Sequence, residues 1–547
     1  MKIALAQLNY TIGDFTGNSK KIINTIEKAK TQGAELVVFS ELAVCGYYPH
    51  DMLESGEFVN KCLQSINKIA EHCKGIAAVI GAPSINPSNS GKKLYNSAYF
   101  LTNGTTNAIR HKTSLPTYDI FDEYRHFEPN RQFNTIEYKG EIIALTICED
   151  LWEKIPKQND FAKENIYLRR PLGILNQLNP SLVINIAASP FSYDQTEQRH
   201  RVLVNATKKY KLPIVYVNQV GANTEVVFDG GSCFVNQRGE ICQTLKYFEE
   251  DIQIIDTQSA KPVKQAEESD NIAKIHQALI VGIRDYFQKM NFKSVVLGLS
   301  GGIDSAIVCA LAAEALGSEN VHGILMPSKY SSDHSITDAE QLAKNLGVKY
   351  NTIAIKGMVN EFENSLKDLF KGTKEGVAEE NIQARIRGTL VMASANKFGH
   401  ILLNTTNKSE CAVGYGTLYG DMNGGISILG DVYKTDVYRL ARYINRNKEL
   451  IPENSITKAP SAELRPNQVD TDSLPDYDVL DAILFAYIEN SLSKEEIVRK
   501  GFDRNTVEHI IHLVNRNEYK RFQTPPIIRI SSKAFGFGRR MPLVAKY

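Results

Sequence analysis

The chain has 547 residues, with 63 lysines and arginines against 62 aspartates and glutamates, for a formal charge of +1. That balance lacks the basic bias of a protein whose main partner is nucleic acid or an anionic membrane, so small-molecule ligands are expected. The length exceeds one ordinary core and implies two or three domains. In chain order, Lys2-Ile3-Ala4-Leu5-Ala6-Gln7 is a short apolar strand that runs into polar sequence. Up to residue 256, β-rich runs such as Leu36-Val37-Val38-Phe39, Ile142-Ile143-Ala144-Leu145 and Leu182-Val183-Ile184-Asn185-Ile186 alternate with helical or loop segments, an α/β pattern. Residues 257–270 are polar, contain a proline and lack an apolar period, as a connector does, so domains are expected over 1–256 and 271–547. Beyond the connector come an amphipathic helix over 272–288, a strand over 294–299, a glycine turn and an alanine-rich helix over 306–316. That order predicts a doubly wound unit with a parallel sheet. Residues 464–475 and 525–542 read as long surface loops, candidates for lids. The eight cysteines are scattered without metal-site spacing, and no apolar stretch approaches membrane-spanning length, so a soluble cytoplasmic protein is expected.

Three residues stand at the ends of apolar runs in the first half: Glu41, Lys112 and Cys148. Amide cleavage needs a thiolate to attack the carbonyl, a carboxylate to shuttle the proton and a cation to stabilise the oxyanion, and these residue types supply those roles. Taken singly, Cys148 reads as a small buried hydrophobe and the two charged residues as solvated surface groups. The segments around them decide between the readings. Phe39-Ser40-Glu41-Leu42, His111-Lys112-Thr113-Ser114-Leu115-Pro116 and Ile147-Cys148-Glu149-Asp150-Leu151-Trp152 resemble, in order, the three signature segments of the nitrilase superfamily. The resemblance implies an αββα sandwich with Glu41 as general base, Lys112 as oxyanion-side cation and Cys148 as nucleophile. Tyr118 and Glu149 match positions that hold substrate in the glutaminase branch, which implies hydrolysis of the glutamine side-chain amide. Ser189, in Ala187-Ala188-Ser189-Pro190, matches a further substrate segment and reads equally well as a turn serine.

In the second half, Leu297-Gly298-Leu299-Ser300-Gly301-Gly302-Ile303-Asp304-Ser305-Ala306 places a glycine turn between a strand and a helix, where backbone N–H groups and the helix dipole attract phosphate. No Gly-Lys-Ser/Thr follows, so this is not a Walker A loop. Gly414, Gly416 and Gly420 lack the spacing and context of a dinucleotide fingerprint. Residues 300–305 instead resemble the loop of ATP pyrophosphatases, which cleave ATP between its α and β phosphates to adenylate a substrate. Glu380-Asn381-Ile382-Gln383-Ala384-Arg385-Ile386-Arg387, Thr405-Thr406-Asn407-Lys408-Ser409-Glu410 and the stretch from Val413 to Asp421 resemble the NAD synthetase family. With the nitrilase-like half ahead of it, the chain resembles the glutamine-dependent NAD synthetases along its whole length.

That resemblance implies glutamine, ATP and nicotinic acid adenine dinucleotide as substrates, Mg2+ as the metal, and a homo-oligomer. By it, ATP contacts fall on Ser300, Gly301, Gly302, Ile303, Asp304, Ser305, Arg387 and Thr405, and dinucleotide contacts on Arg385, Glu410, Asp421, Lys434 and Lys533. Asp304 and Glu410 match the metal carboxylates, and oxygen ligands suit so hard an ion. No chemistry singles out Lys533, and Thr406 stands where glycine is the more frequent residue in the resembling segment. The implied reaction passes ammonia from the first site to the second, which predicts a shielded passage. Two alternatives stay open from the sequence: an amidotransferase that adenylates another group, and an inactive nucleotide-binding scaffold.

Overall fold

The structure, a computed structural model, describes residues 1–152, 167–263 and 270–546. It forms two compact units, Met1–Glu268 and Ser269–Tyr547. Of the expected connector, 264–269 lie outside the described residues. Residues 257–263 are tied to the first unit: Thr257 N donates to the Met1 carbonyl and Val263 N to that of Ile241.

In the first unit, period-2 alternation builds two layers of core at once. Strand Lys2–Gln7 pairs in parallel with Leu36–Val38 and antiparallel with Asp251–Asp256, Lys2 standing opposite Asp256. Ala77–Ile85, Leu94–Thr102 and Thr105–His111 complete this six-stranded sheet. Ile3, Leu5, Leu36 and Val38 pack inward against a second six-stranded sheet, which contains Glu141–Ile147, Leu182–Ala187 and Ile214–Asn218. Ala4, Ala6, Val37 and Phe39 face outward onto helices Phe15–Thr31 and Gly56–Ala70 through Ile22, Ile26, Ile66 and Ile69. Side chains cap both helices: Asp14 accepts from Gly17 N and Ser55 from Phe58 N. Leu203 and Ala206 of helix Gln195–Tyr210 join the core of the second sheet. The expected αββα sandwich is the observed architecture.

The second unit holds five parallel strands in the order Lys349–Thr352, Val321–Leu325, Val295–Gly298, Ile401–Asn404, Ile426–Ser427. The first strand in sequence is central and the chain winds outward on both sides, as expected for a doubly wound sheet. Strand order reverses between Val295–Gly298 and Ile401–Asn404, and the crevice beyond their carboxyl ends is the place such sheets offer ligands. The expected leading helix is Asn271–Met290. The next helix starts at Ile303, earlier than the alanine-rich run predicted, because the extended Gly302 ends the turn and Ile303 already packs in the core.

Residues 525–542 do not form the surface loop expected. Ile527, Ile528, Ile530 and Ser531 are buried. Ser427 N donates to the Pro526 carbonyl and Ile528 N to that of Ser427, so this segment extends the sheet edge. Asp431 then accepts from the N–H groups of Ile530 and Ser531, both at 2.7 Å. Backbone satisfied in this way no longer needs solvent, which is why a segment without a strand-like pattern is buried. Among the described residues no helix is long and apolar enough to cross a membrane.

Candidate active sites

Strand Glu141–Ile147 ends at Cys148, whose φ of +46° is left-handed, a conformation that a non-glycine residue holds only when its surroundings enforce it. Asp150 provides that enforcement. Its Oδ2 accepts from Ile147 N at 3.1 Å, and its Oδ1 accepts from Thr113 N at 3.0 Å and Ser114 N at 2.8 Å, pinning the elbow to the residues that follow Lys112. From the adjacent strand, Asn185 Nδ2 donates to the Cys148 carbonyl at 3.3 Å.

Lys112 is fully buried, and its Nζ donates to Glu41 Oε1 at 2.7 Å and Glu123 Oε1 at 2.8 Å. Asn96 Nδ2 adds a bond to Glu41 Oε1 at 2.7 Å, Ala188 N reaches Glu41 Oε2 at 3.0 Å, and the Tyr47 hydroxyl donates to Glu123 Oε1 at 2.5 Å. Buried charges persist when paired and hydrogen-bonded in this manner. Burial disfavours the Lys112 ammonium, but Glu123 and Glu41 outweigh it and hold the lysine protonated well above its usual range. Burial pushes Glu123 up to about 7 against the pull of Lys112. Burial, reinforced by Glu41 and opposed by Lys112, also raises the Cys148 thiol well above its ordinary value. A thiol so placed attacks only if a base takes its proton during the attack.

Glu149 accepts from two tyrosine hydroxyls, those of Tyr118 and Tyr167. Ser189 is fixed through its backbone: Asn218 Oδ1 accepts from Ser189 N at 2.8 Å and Asn218 Nδ2 donates to its carbonyl at 3.2 Å. The structure therefore brings Glu41 and Lys112 into one cluster, and sets Tyr118 against Glu149 beside Cys148. Sequence reasoning does not mark Glu123, Asn96 or Tyr167. Glu123 sits in the four-residue helix Glu123–His126 after a loop, with no apolar strand to announce it.

In the second unit, loop 300–305 is closed on itself. Ser305 Oγ donates to the Gly302 carbonyl at 3.0 Å and lies 3.1 Å from Ser300 Oγ, and Gly302 N donates to Ser300 Oγ at 3.2 Å. Gly301 has φ +77°, and a Cβ there would stand 2.1 Å from the Ser335 carbonyl oxygen. Gly301→Ala is therefore expected to cost about 2–4 kcal/mol of stability. Gly302, with φ −80° and only Ser300 Oγ at 3.2 Å from its Cβ position, should tolerate alanine with a much smaller loss; paired thermal unfolding of the two variants checks this.

A cavity of about 670 Å³ opens over the loop. Ser300, Gly302, Ile303, Asp304, Ser305, Arg387, Thr405, Glu410, Asp421 and Lys434 line it, whereas Gly301 packs behind the loop against Ser335. Arg385 and Lys533 are not among the lining residues: Arg385 Nε donates to the Leu418 carbonyl at 3.3 Å, and the Lys533 carbonyl accepts from Lys408 Nζ at 3.0 Å. Thr406 N bonds Asn404 Oδ1 at 3.1 Å and its hydroxyl the Asp421 carbonyl at 3.4 Å, so threonine is accommodated there.

Lys434 Nζ sits between two carboxylates, 2.5 Å from Asp304 Oδ2 and 3.6 Å from Glu410 Oε1. Asn407, which has no role assigned from sequence, donates to Asp304 Oδ1 at 3.0 Å. Burial and the nearby Asp304 push Glu410 up to about 8, although Lys434 pulls it down. Burial disfavours the Lys434 ammonium, yet Asp304 and Glu410 raise its pKa. Behind this group Lys408 is fully buried, bound to Glu489, to Asp431 at 2.8 Å and to Ser531 Oγ at 2.9 Å. It joins helix Lys408–Val413 to the buried C-terminal segment.

The carbon–nitrogen hydrolase family matches residues 2–265 and the NAD synthase family residues 275–524. Fold and site clusters together define a carbon–nitrogen hydrolase unit joined to an NAD synthase unit. The glutamine-dependent NAD(+) synthetase of Synechocystis sp. is 46% identical over 100% of this chain and 99% of its own, and that of Acinetobacter baylyi 42% identical over 99% and 98%. A solved glutamine-dependent NAD+ synthetase from Acinetobacter baumannii, in complex with ADP, is 40% identical with a TM-score of 0.78, covering 99% of this chain and 98% of its own. One from Cytophaga hutchinsonii shares the fold, with a TM-score of 0.84 at 20% identity over 100% and 98% of the two chains. This chain belongs to the glutamine-dependent NAD(+) synthetase family.

Proposed function

We propose that this chain is an enzyme that hydrolyses the side-chain amide of glutamine and uses the ammonia to convert nicotinic acid adenine dinucleotide into NAD, with ATP cleaved to AMP and pyrophosphate. The observation that carries the reading is the pairing, in one chain, of the Glu41–Lys112–Glu123 cluster beside Cys148 with the Asp304–Lys434–Glu410 group over a phosphate-type loop. Glu41 accepts the Cys148 proton as sulfur bonds to the amide carbon, Lys112 stabilises the oxyanion, and the proton leaves with ammonia. The thioester is then hydrolysed to glutamate. Glu149, with Tyr118, and Ser189 hold the substrate.

At the second site residues 300–305 hold ATP phosphates with Arg387 and Thr405, while Glu410, Asp421 and Lys434 act on the dinucleotide. Arg385 and Lys533, proposed as further dinucleotide contacts, do not line the cavity. A nicotinate carboxylate oxygen bonds to the α-phosphorus as pyrophosphate departs. Ammonia then bonds to the acyl carbon, the bond to AMP breaks, and the surplus protons pass to solvent. Asp304 and Glu410 fit Mg2+: two carboxylates flank one point that already holds a cationic nitrogen, and oxygen ligands suit so hard an ion. The ion supplies neutralisation of phosphate charge when bound.

We assign residues 1–256 to the glutaminase, 271–547 to the synthetase and 257–270 to the connector, of which 257–263 are hydrogen-bonded to the first unit, and place the protein in the cytoplasm, where eight unpaired cysteines are at home. A homo-oligomer is part of the same proposal and rests on the resemblance to the family. The deciding assay supplies the dinucleotide, ATP and magnesium with either glutamine or ammonium. NAD matched by AMP with both donors is expected; ADP in place of AMP refutes adenylation, and no NAD from either donor points to a different amidotransferase.

A further inference from the structure

The cavity over loop 300–305 has two facing walls, one from residues 325–336 and one from 455–470. Glu463 ties them together at three points. Glu463 Oε1 lies 2.8 Å from Ser332 Oγ and 2.7 Å from Ser335 Oγ, and Glu463 Oε2 accepts from Ser332 N at 3.3 Å. Ser332 caps helix Asp333–Leu346, so the carboxylate sits at the favourable end of a 14-residue helix. Lys458, in the same wall as Glu463, donates to Ser335 Oγ at 3.0 Å and reinforces the join.

The loop that presents Glu463 is built for it. Glu463 itself has φ +50°, left-handed, and its N–H donates to Ser461 Oγ at 3.1 Å. Ser461 Oγ in turn bonds the Gln468 carbonyl at 2.5 Å, and Leu464 N bonds Gln468 Oε1 at 2.8 Å, closing 461–468 into a tied loop. Its other side is anchored where Gln383 Nε2 donates to the Leu464 carbonyl at 2.9 Å. A non-glycine residue in this region persists only where its contacts over-determine it.

We propose that Glu463 is a positioning residue, a latch that holds loop 461–468 across the ATP cavity and shields the adenylate from water. The role rests on the adenylation proposed above. Water that reaches the adenylate bonds its oxygen to the acyl carbon and breaks the bond to AMP, returning the starting carboxylate and releasing protons. ATP is then consumed without NAD. Exclusion of water by a closed loop is what prevents such a side reaction.

The experiment measures AMP released per NAD formed, with limiting ammonium as donor, for the full-length protein and Glu463→Gln. Glutamine keeps the shape but loses the charge-assisted bonds, worth about tenfold in the open–closed equilibrium. The ratio is expected to rise from one to about three or more. Ser332→Ala with Ser335→Ala, an independent route should Glu463 variants fold poorly, should give the same leak, and combining it with Glu463→Gln should add little. A ratio that stays at one in these variants, even with slower turnover or lower Tm, overturns the latch. NAD formed by the unaltered protein without AMP defeats adenylation instead, which separates the two failures.

Discussion

Cys148→Ala is expected to lower glutamine-supported NAD formation by at least about a thousandfold while ammonium-supported formation stays within about twofold of the unaltered protein. The nucleophile has no substitute: alanine removes the sulfur, and the Glu41–Lys112–Glu123 cluster left behind holds charge but offers no atom to attack a carbonyl. The fold should survive, since Cys148 contributes a small buried side chain and its elbow is held by Asp150 and Asn185 rather than by its own thiol. Alanine accepts the left-handed φ of +46° no worse than cysteine does. The two donors are compared in one assay series, with glutamate release as an independent readout. Glutamate release that persists in the variant would displace Cys148 from the role of nucleophile, and loss with both donors would mean that the substitution acts on more than the first site.

Asp304→Ala should instead lower NAD formation with both donors, by about a hundredfold or more. Asp304 joins three parts of the second site: it pairs with Lys434 at 2.5 Å, accepts from Asn407 at 3.0 Å and lies in the first turn of the helix that follows the phosphate-type loop. Without it the carboxylate left to the buried Lys434, among the described residues, is Glu410, 3.6 Å away, and one of the two proposed metal carboxylates is gone. Glutamine hydrolysis, a property of the other unit's residues, should remain measurable as glutamate. The contrast between a donor-specific loss at Cys148 and a donor-independent loss at Asp304 separates the two sites more sharply than either variant alone. Full activity in Asp304→Ala would remove this residue from the second site.

Much of this protein was legible from the chain alone, wherever local pattern and local chemistry agree. Alternation in Lys2-Ile3-Ala4-Leu5-Ala6-Gln7 follows from the pleat of a strand, and the strand–glycine–helix order around Ser300 follows from the backbone freedom that a tight turn requires, so both are legible without any tertiary contact. The segments before Glu41, Lys112 and Cys148 likewise become strands Leu36–Val38, Thr105–His111 and Glu141–Ile147, with each of the three residues just beyond a strand end. Tertiary structure alone decided what depends on residues distant in sequence. Glu123 joins Lys112 only because the loop before it returns to the strand end, Tyr167 meets Glu149 from 18 residues further along the chain, and Asn407 meets Asp304 where each follows a different strand of the second sheet. The burial of Ile527–Ser531 had no periodic signal, because its backbone is satisfied by Ser427 and Asp431 about a hundred residues earlier. The join from Glu463 to Ser332 and Ser335 is of the same kind: a hydrogen bond leaves no mark in sequence spacing when its partners lie on different loops, and only the folded chain brings them within reach.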